Sequence, residues 1–128
     1  MMDRWYVVHT QARAEERALW HLNNQGFDCF LPRCLRTRRH ARKTDTVLEP
    51  LFPRYLFTSF DADNARWRAI NGSRGVVYLL TDGTQPLAIP RDIVETIRAE
   101  SDEQGIMPLT ALGMFWKGRM VRVKSGAF

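Results

Sequence analysis

The sequence predicts an α/β fold, an α+β sandwich in which a small mixed, largely antiparallel sheet is flanked by helices. Two observations carry that reading. Short runs rich in aromatic and β-branched residues alternate with amphipathic helical segments in the order β-α-β-β-α-β-α. At 128 residues, 45% hydrophobic and 26% charged, the chain has enough apolar side chain for one folded domain with a core and the edge of a second.

Trp5-Tyr6-Val7-Val8-His9-Thr10 reads as the first strand. A helix follows from Ala12 to Gln25, because Ala14, Ala18, Leu19 and Leu22 recur at helical spacing and Gly26 supplies a stop. Phe27 to Pro32 is a second strand. Arg33 to Lys43 carries six formal positive charges and no acid, and is expected to form an extended hairpin arm with Thr44 to Leu48. Leu51 to Phe60 is the next strand, aromatic and punctuated by Pro50 and Pro53. Asp61 or Asp63 is expected to cap a second helix through Ala65, Trp67 and Ile70, since a carboxylate satisfies free amides of a first turn. Asn71 to Gly75 is turn chemistry, and Val76 to Leu80 a strand. A turn at Asp82-Gly83 leads to Pro86-Leu87-Ala88-Ile89. Pro90 is placed at the first position of a third helix carrying Ile93, Val94 and Ile97. Periodicity then fades. We expect a first domain over residues 1–100, a linker over 101–115, and at 116–128 an alternating segment that reads as the opening of a second, truncated domain.

The formal charge of +5 and pI near 9.8 favour an anionic partner. No apolar run approaches the ~20 residues needed to span a bilayer, and no signal-peptide apolar region follows Met1, so a cytoplasmic protein is expected. Cys29 and Cys34 have no second pair to complete a zinc site, and two reduced thiols are expected. There is no glycine-rich phosphate loop after a strand, no nucleophile elbow and no paired-histidine metal spacing. An enzyme is therefore not expected, and neither a metal nor a cofactor is assigned.

Trp5-Tyr6-Val7-Val8, the helix after it, Glu49-Pro50-Leu51-Phe52-Pro53-Arg54-Tyr55-Leu56-Phe57 and Gly72-Ser73-Arg74-Gly75-Val76 occur in an order that resembles the N-terminal (NGN) domain of NusG-type transcription elongation factors. The resemblance covers roughly residues 4–100. Val121 to Phe128 is similar to the start of the KOW motif that follows in that family. Phe60-Asp61 and Ile70-Asn71 lean toward its specialised RfaH-like branch. The resemblance implies a monomeric factor without catalytic activity that binds the clamp helices of RNA polymerase through an apolar patch, suppresses pausing and acts in elongation and antitermination. Some members also contact the non-template DNA strand.

Carried onto this chain, the resemblance implies polymerase contact by Phe52, Tyr55 and Phe57. Tyr55 and Phe57 lie two apart on one strand and share a face. The competing reading is that both fill the core, although Leu56 and Phe60 are available to fill it from the opposite face. Arg66, Trp67 and Arg68 match the position where RfaH-like proteins touch the gate loop with a His-Thr-Thr-type sequence, which this chain lacks; Trp67 is equally a core anchor. For DNA the matching positions are Gln11, Arg17, His21, Gln25, Ser73 and Arg74, with a solvated helix face as the alternative. Gln11 stands where the RfaH branch commonly has lysine. His9 is read as structural. The rival function is an RNA-binding or ribosome-associated module that uses the arginine arm and the KOW-like tail.

Overall fold

The computed structural model describes residues 3–63 and 66–107. The KOW-like tail, the second half of the expected linker and Ala65 lie outside the described residues. The elements are β1 (Arg4–Thr10), α1 (Glu15–Asn24), β2 (Asp28–Phe30), β3 (Arg33–His40), β4 (Lys43–Pro50), β5 (Tyr55–Phe60), a 3-10 helix (Trp67–Gly72), β6 (Val76–Leu79), α2 (Arg91–Glu100) and β7 (Ile106–Met107).

They form two sheets, a four-stranded one in the order β2-β5-β1-β6 and a three-stranded one in the order β4-β3-β7. All strand pairs are antiparallel except β3 with β7. The α+β class is the one the sequence predicts, but it is built on two sheets. The arginine arm, which continues β3 and β4 beyond the body, forms the second.

Strand alternation divides the larger sheet into two faces. Tyr6, Val8, Leu56, Phe60 and Leu79 point to one side, where Ala18 and Leu22 of α1 and Trp67 and Ile70 of the 3-10 helix close the first core cluster. Trp5 and Phe57 point to the other side and meet Val94 and Ile97 of α2, with Leu51, Cys34 and Met107. Ile106–Met107 belongs to the stretch read as linker. It adds to β3, where Met107 is wholly buried in the second core cluster; a single apolar pair is too short to register as periodicity.

Three local readings change. The strand expected from Leu51 begins at Tyr55. Residues 52–55 form a turn in which the Tyr55 N–H donates to the Phe52 carbonyl, with Pro53 second and Arg54 third at φ +73. This is the type II arrangement, which usually takes glycine at the third position. Asp61 does not cap a helix. Its Oδ1 accepts the Asp63 N–H in a local turn, and the 3-10 helix starts beyond it at Trp67 with no side-chain cap. Pro90 occupies the cap position of α2, one residue before the helix.

Candidate polymerase and nucleic-acid surfaces

The register of the large sheet assembles an aromatic row that no linear reading shows. His9 lies opposite Tyr55 on β5 and opposite Tyr78 on β6, so the three side chains share one face across three strands. The His9 ring stacks on Tyr55 at 5.0 Å and meets Tyr78 edge-on at 5.0 Å. Tyr55 is 38% exposed and Tyr78 48%. Packing of α2 on this face centres on Trp5 and Phe57, and the His9–Tyr55–Tyr78 row lies beyond that cluster.

Phe57 does not join this surface. It is 7% exposed and packs with Phe30 and Phe52 at ring separations of 6.3 and 5.9 Å inside the second core cluster. For Phe57 the packing favours the competing reading, a core residue, because α2 and β7 cover the sheet face at its position. Phe52 is half-buried beside it, packed against the same cluster. For Trp67 the packing likewise favours the core-anchor alternative. It is 8% exposed, donates its indole N–H to the Ala62 carbonyl at 3.1 Å and completes the first core cluster. Arg66 and Arg68 are exposed on either side, with the Arg68 guanidinium 4.5 Å from the Trp67 ring centroid.

The turn that delivers Tyr55 is held in its left-handed conformation from two directions. The Arg54 N–H donates to Glu15 Oε2 at 2.9 Å, and the Arg54 carbonyl accepts the Thr10 N–H at 2.7 Å. Such a conformation costs a non-glycine residue about 1–3 kcal/mol and persists only where its surroundings impose it. Glu15 is buried at the start of α1, so the helix and the aromatic row are mechanically joined.

The nucleic-acid set comes from two distant segments that the fold brings together. Gln25 donates from Nε2 to Ser73 Oγ at 2.7 Å and to the His21 carbonyl at 3.1 Å. The Gln11 N–H donates to the Gly75 carbonyl at 2.8 Å. Arg17 and Arg74 are exposed, and neither forms an ion pair among the described residues. Gly75 makes the approach feasible. Its φ is +85, and a Cβ there would sit 3.1 Å from the Ala14 carbonyl oxygen and the Ala18 nitrogen, both backbone atoms of α1 and its cap. Gly75→Ala is expected to lower stability by about 1–3 kcal/mol and to displace Ser73 and Arg74 from α1. Thermal denaturation checks it; an unchanged melting curve would show that the turn can yield.

The arm is a two-stranded ribbon, about 26 Å long at the usual rise per residue, with residues 37–46 exposed on both sides. Its two-residue loop, Ala41-Arg42, has φ of +48 and +68, the turn that hairpin twist favours and that usually takes Asn-Gly. Arg33 is ion-paired with Glu16, and Arg36 lies 3.3 Å from Glu49 without hydrogen-bond alignment. Arg38, Arg39 and Arg42 form no ion pair among the described residues.

Among the described residues no group of three or more His, Cys, Asp or Glu side chains could hold a metal ion. No helix there is long and apolar enough to cross a membrane. Burial pushes the Cys29 thiol up to about 11, beyond what its hydrogen bond to Thr58 offsets. Its protonated form is thus favoured in the folded state, and its contribution to stability is present below the ordinary thiol range and lost as pH rises through about 11. Alkylation with iodoacetamide at pH 8 should be slow at Cys29 and at fully buried Cys34 until denaturant is added. Rapid labelling of the native chain would contradict the packing.

The sequence reading takes His9 as structural and singles out neither Tyr78, its ring partner, nor Glu15, which accepts the Arg54 N–H. The alternation Trp5-Val7-His9 places His9 on the Tyr55 face, but only once the β1–β5 register is known.

The model of the family described as transcription termination factor NusG matches residues 3–98. The chain is similar to the transcription termination/antitermination protein NusG of Thermus thermophilus, at 29% identity over all of this chain and 78% of that protein. It is also similar to the NusG protein of Rickettsia bellii, at 25% identity over 98% of this chain and 69% of that one. In fold it is similar to a solved structure concerned with domain interaction in Thermotoga maritima NusG, with a TM-score of 0.55, 19% identity and 80% of this chain covered. The match spans 64% of that solved chain. With three quarters of its length matched by the family model and the NusG-like architecture present, the chain belongs to the NusG family of transcription factors.

Proposed function

We propose that this chain is a transcription elongation and antitermination factor that docks as a monomer on the clamp helices of RNA polymerase and suppresses pausing. The observation that carries the proposal is the row His9–Tyr55–Tyr78, in which half-buried His9 packs against exposed Tyr55 and Tyr78, beside the part of the sheet face that α2 and Met107 cover. Exposed aromatic rings held on a rigid sheet suit the apolar side of a helix, and buried aromatics dominate the energy of such contacts. In this reading exposed Arg66 and Arg68 meet a second polymerase element, the gate loop, as cations where RfaH-like proteins carry a His-Thr-Thr-type sequence.

The opposite side of the sheet presents Gln11, Arg17, His21, Gln25, Ser73 and Arg74 to the non-template strand. Contacts from such residues to phosphate position a strand without reading it. Gln11 cannot supply the charge of the usual lysine, so the preferred element differs from that of the RfaH branch. Residues 116–128 open a KOW-type domain in this reading.

The test is binding of the purified chain to core RNA polymerase, with isolated clamp helices as competitor. Saturable binding that the clamp helices displace supports the proposal. No binding, or binding the competitor leaves untouched, overturns it. The unpaired arginines of the arm favour a second reading, an RNA-binding or ribosome-associated module. Retention on structured RNA or ribosomes without any on polymerase would favour it.

A further inference from the structure

We infer that the exposed indole of Trp20, with His21 edge-on beside it, is a stacking platform for one unpaired base of a single-stranded nucleic acid. The inference rests on the reading of the α1 surface as facing nucleic acid, and it adds a residue that reading does not contain. Trp20 is 61% exposed, more than any other large apolar side chain among the described residues. The fold gains little from it. The stripe of α1 that enters the core consists of Ala18 and Leu22, with Glu15, and Trp20 points away from that stripe.

Its surroundings decide what can cover it. Its neighbours one turn away along the helix are Glu16, Arg17, Asn23 and Asn24, all exposed and polar. The Glu16 carboxylate is engaged by Arg33, which leaves Arg17 and Arg13 as the unpaired charges nearest in sequence. A lone ring set among cations and amides is a poor match for an apolar protein face, which needs a contiguous patch. It matches a nucleotide, whose base has an apolar π-face and whose phosphate is an anion. The His21 ring lies 4.9 Å from the indole at 89°. An edge-to-face contact occupies at most one face of the indole, so at least one remains open to a base. Along the same helix His21 leads to Gln25, whose bond to Ser73 brings in Arg74, so a polar track runs from the platform to a further cation.

The experiment measures affinity of the whole chain for a labelled mixed-sequence single-stranded oligonucleotide and for a duplex of the same length, across a salt series. Trp20→Ala should weaken single-strand binding by ~5- to ~150-fold, leave the salt dependence unchanged because no charge is removed, and leave the melting temperature intact. Trp20→Phe should recover most of the affinity. Arg17→Ala with Arg74→Ala should instead flatten the salt dependence, by about 0.7 per lost phosphate contact in the logarithmic slope. If the arginine changes weaken binding while Trp20→Ala is silent, the platform is overturned and the α1 surface reading stands. Equal loss on duplex and single strand also overturns stacking. If the unaltered chain binds neither nucleic acid at low salt, the surface reading and the platform fall together.

Discussion

Phe57→Ala is expected to lower the unfolding free energy by about 3–5 kcal/mol, the range for deleting a buried aromatic ring, whereas Tyr55→Ala, two residues away, should cost about 1 kcal/mol. Phe57 is enclosed by Phe30, Phe52 and the residues of α2, while Tyr55 loses only one stacked contact with His9. Binding to polymerase should show the reverse order once measured under conditions where both variants are folded. Tyr55→Ala removes an anchor worth about 1–3 kcal/mol, a weakening of about 5- to 150-fold. Urea titrations and binding isotherms on both variants make the comparison. A Tyr55 variant that loses as much stability as affinity would return the residue to the core and remove the row from the docking surface.

Replacing Arg38, Arg39 and Arg42 together with Ala should reduce the salt dependence of DNA or RNA binding by about 2–3 in the logarithmic slope, if each neutralises one phosphate. The three side chains lie on the exposed ribbon, and no carboxylate among the described residues neutralises them through an ion pair. Asp45 lies across the ladder from Arg38, so Arg38 is expected to contribute the least of the three. The body of the domain should stay folded, because Cys34 is the arm's one residue in the core clusters. An unchanged slope would identify the arm as a solvated loop and remove the support for an RNA-binding module.

Much of the secondary structure was legible because its determinants are local. Val7, Val8 and the aromatic residues around them announce β1, and Ala14, Ala18 and Leu22 announce α1 at a spacing that only a helix brings to one face. The run of arginines announced an exposed arm, since so many like charges cannot share a core. The 3-10 helix was misread because Trp67 and Ile70, three apart, fit either kind of helix over so short a span. The start of β5 was misread because an aromatic run looks extended until Pro53 and a left-handed Arg54 turn it.

What the sequence determined by itself was the class of fold, its family and the residue types available for contact. Which of those residues are left exposed was settled by the tertiary structure. Tyr55 and Phe57 have the same periodicity, and only the docking of α2 buries one and leaves the other exposed. His9 and Tyr78 join Tyr55 through strand register, a relation between segments up to about seventy residues apart that no local pattern encodes. Ser73 reaches Gln25 because Gly75 lacks the Cβ that would strike α1. Periodicity tells which side chains share a face. Which face remains open to a partner depends on what the rest of the chain packs against it.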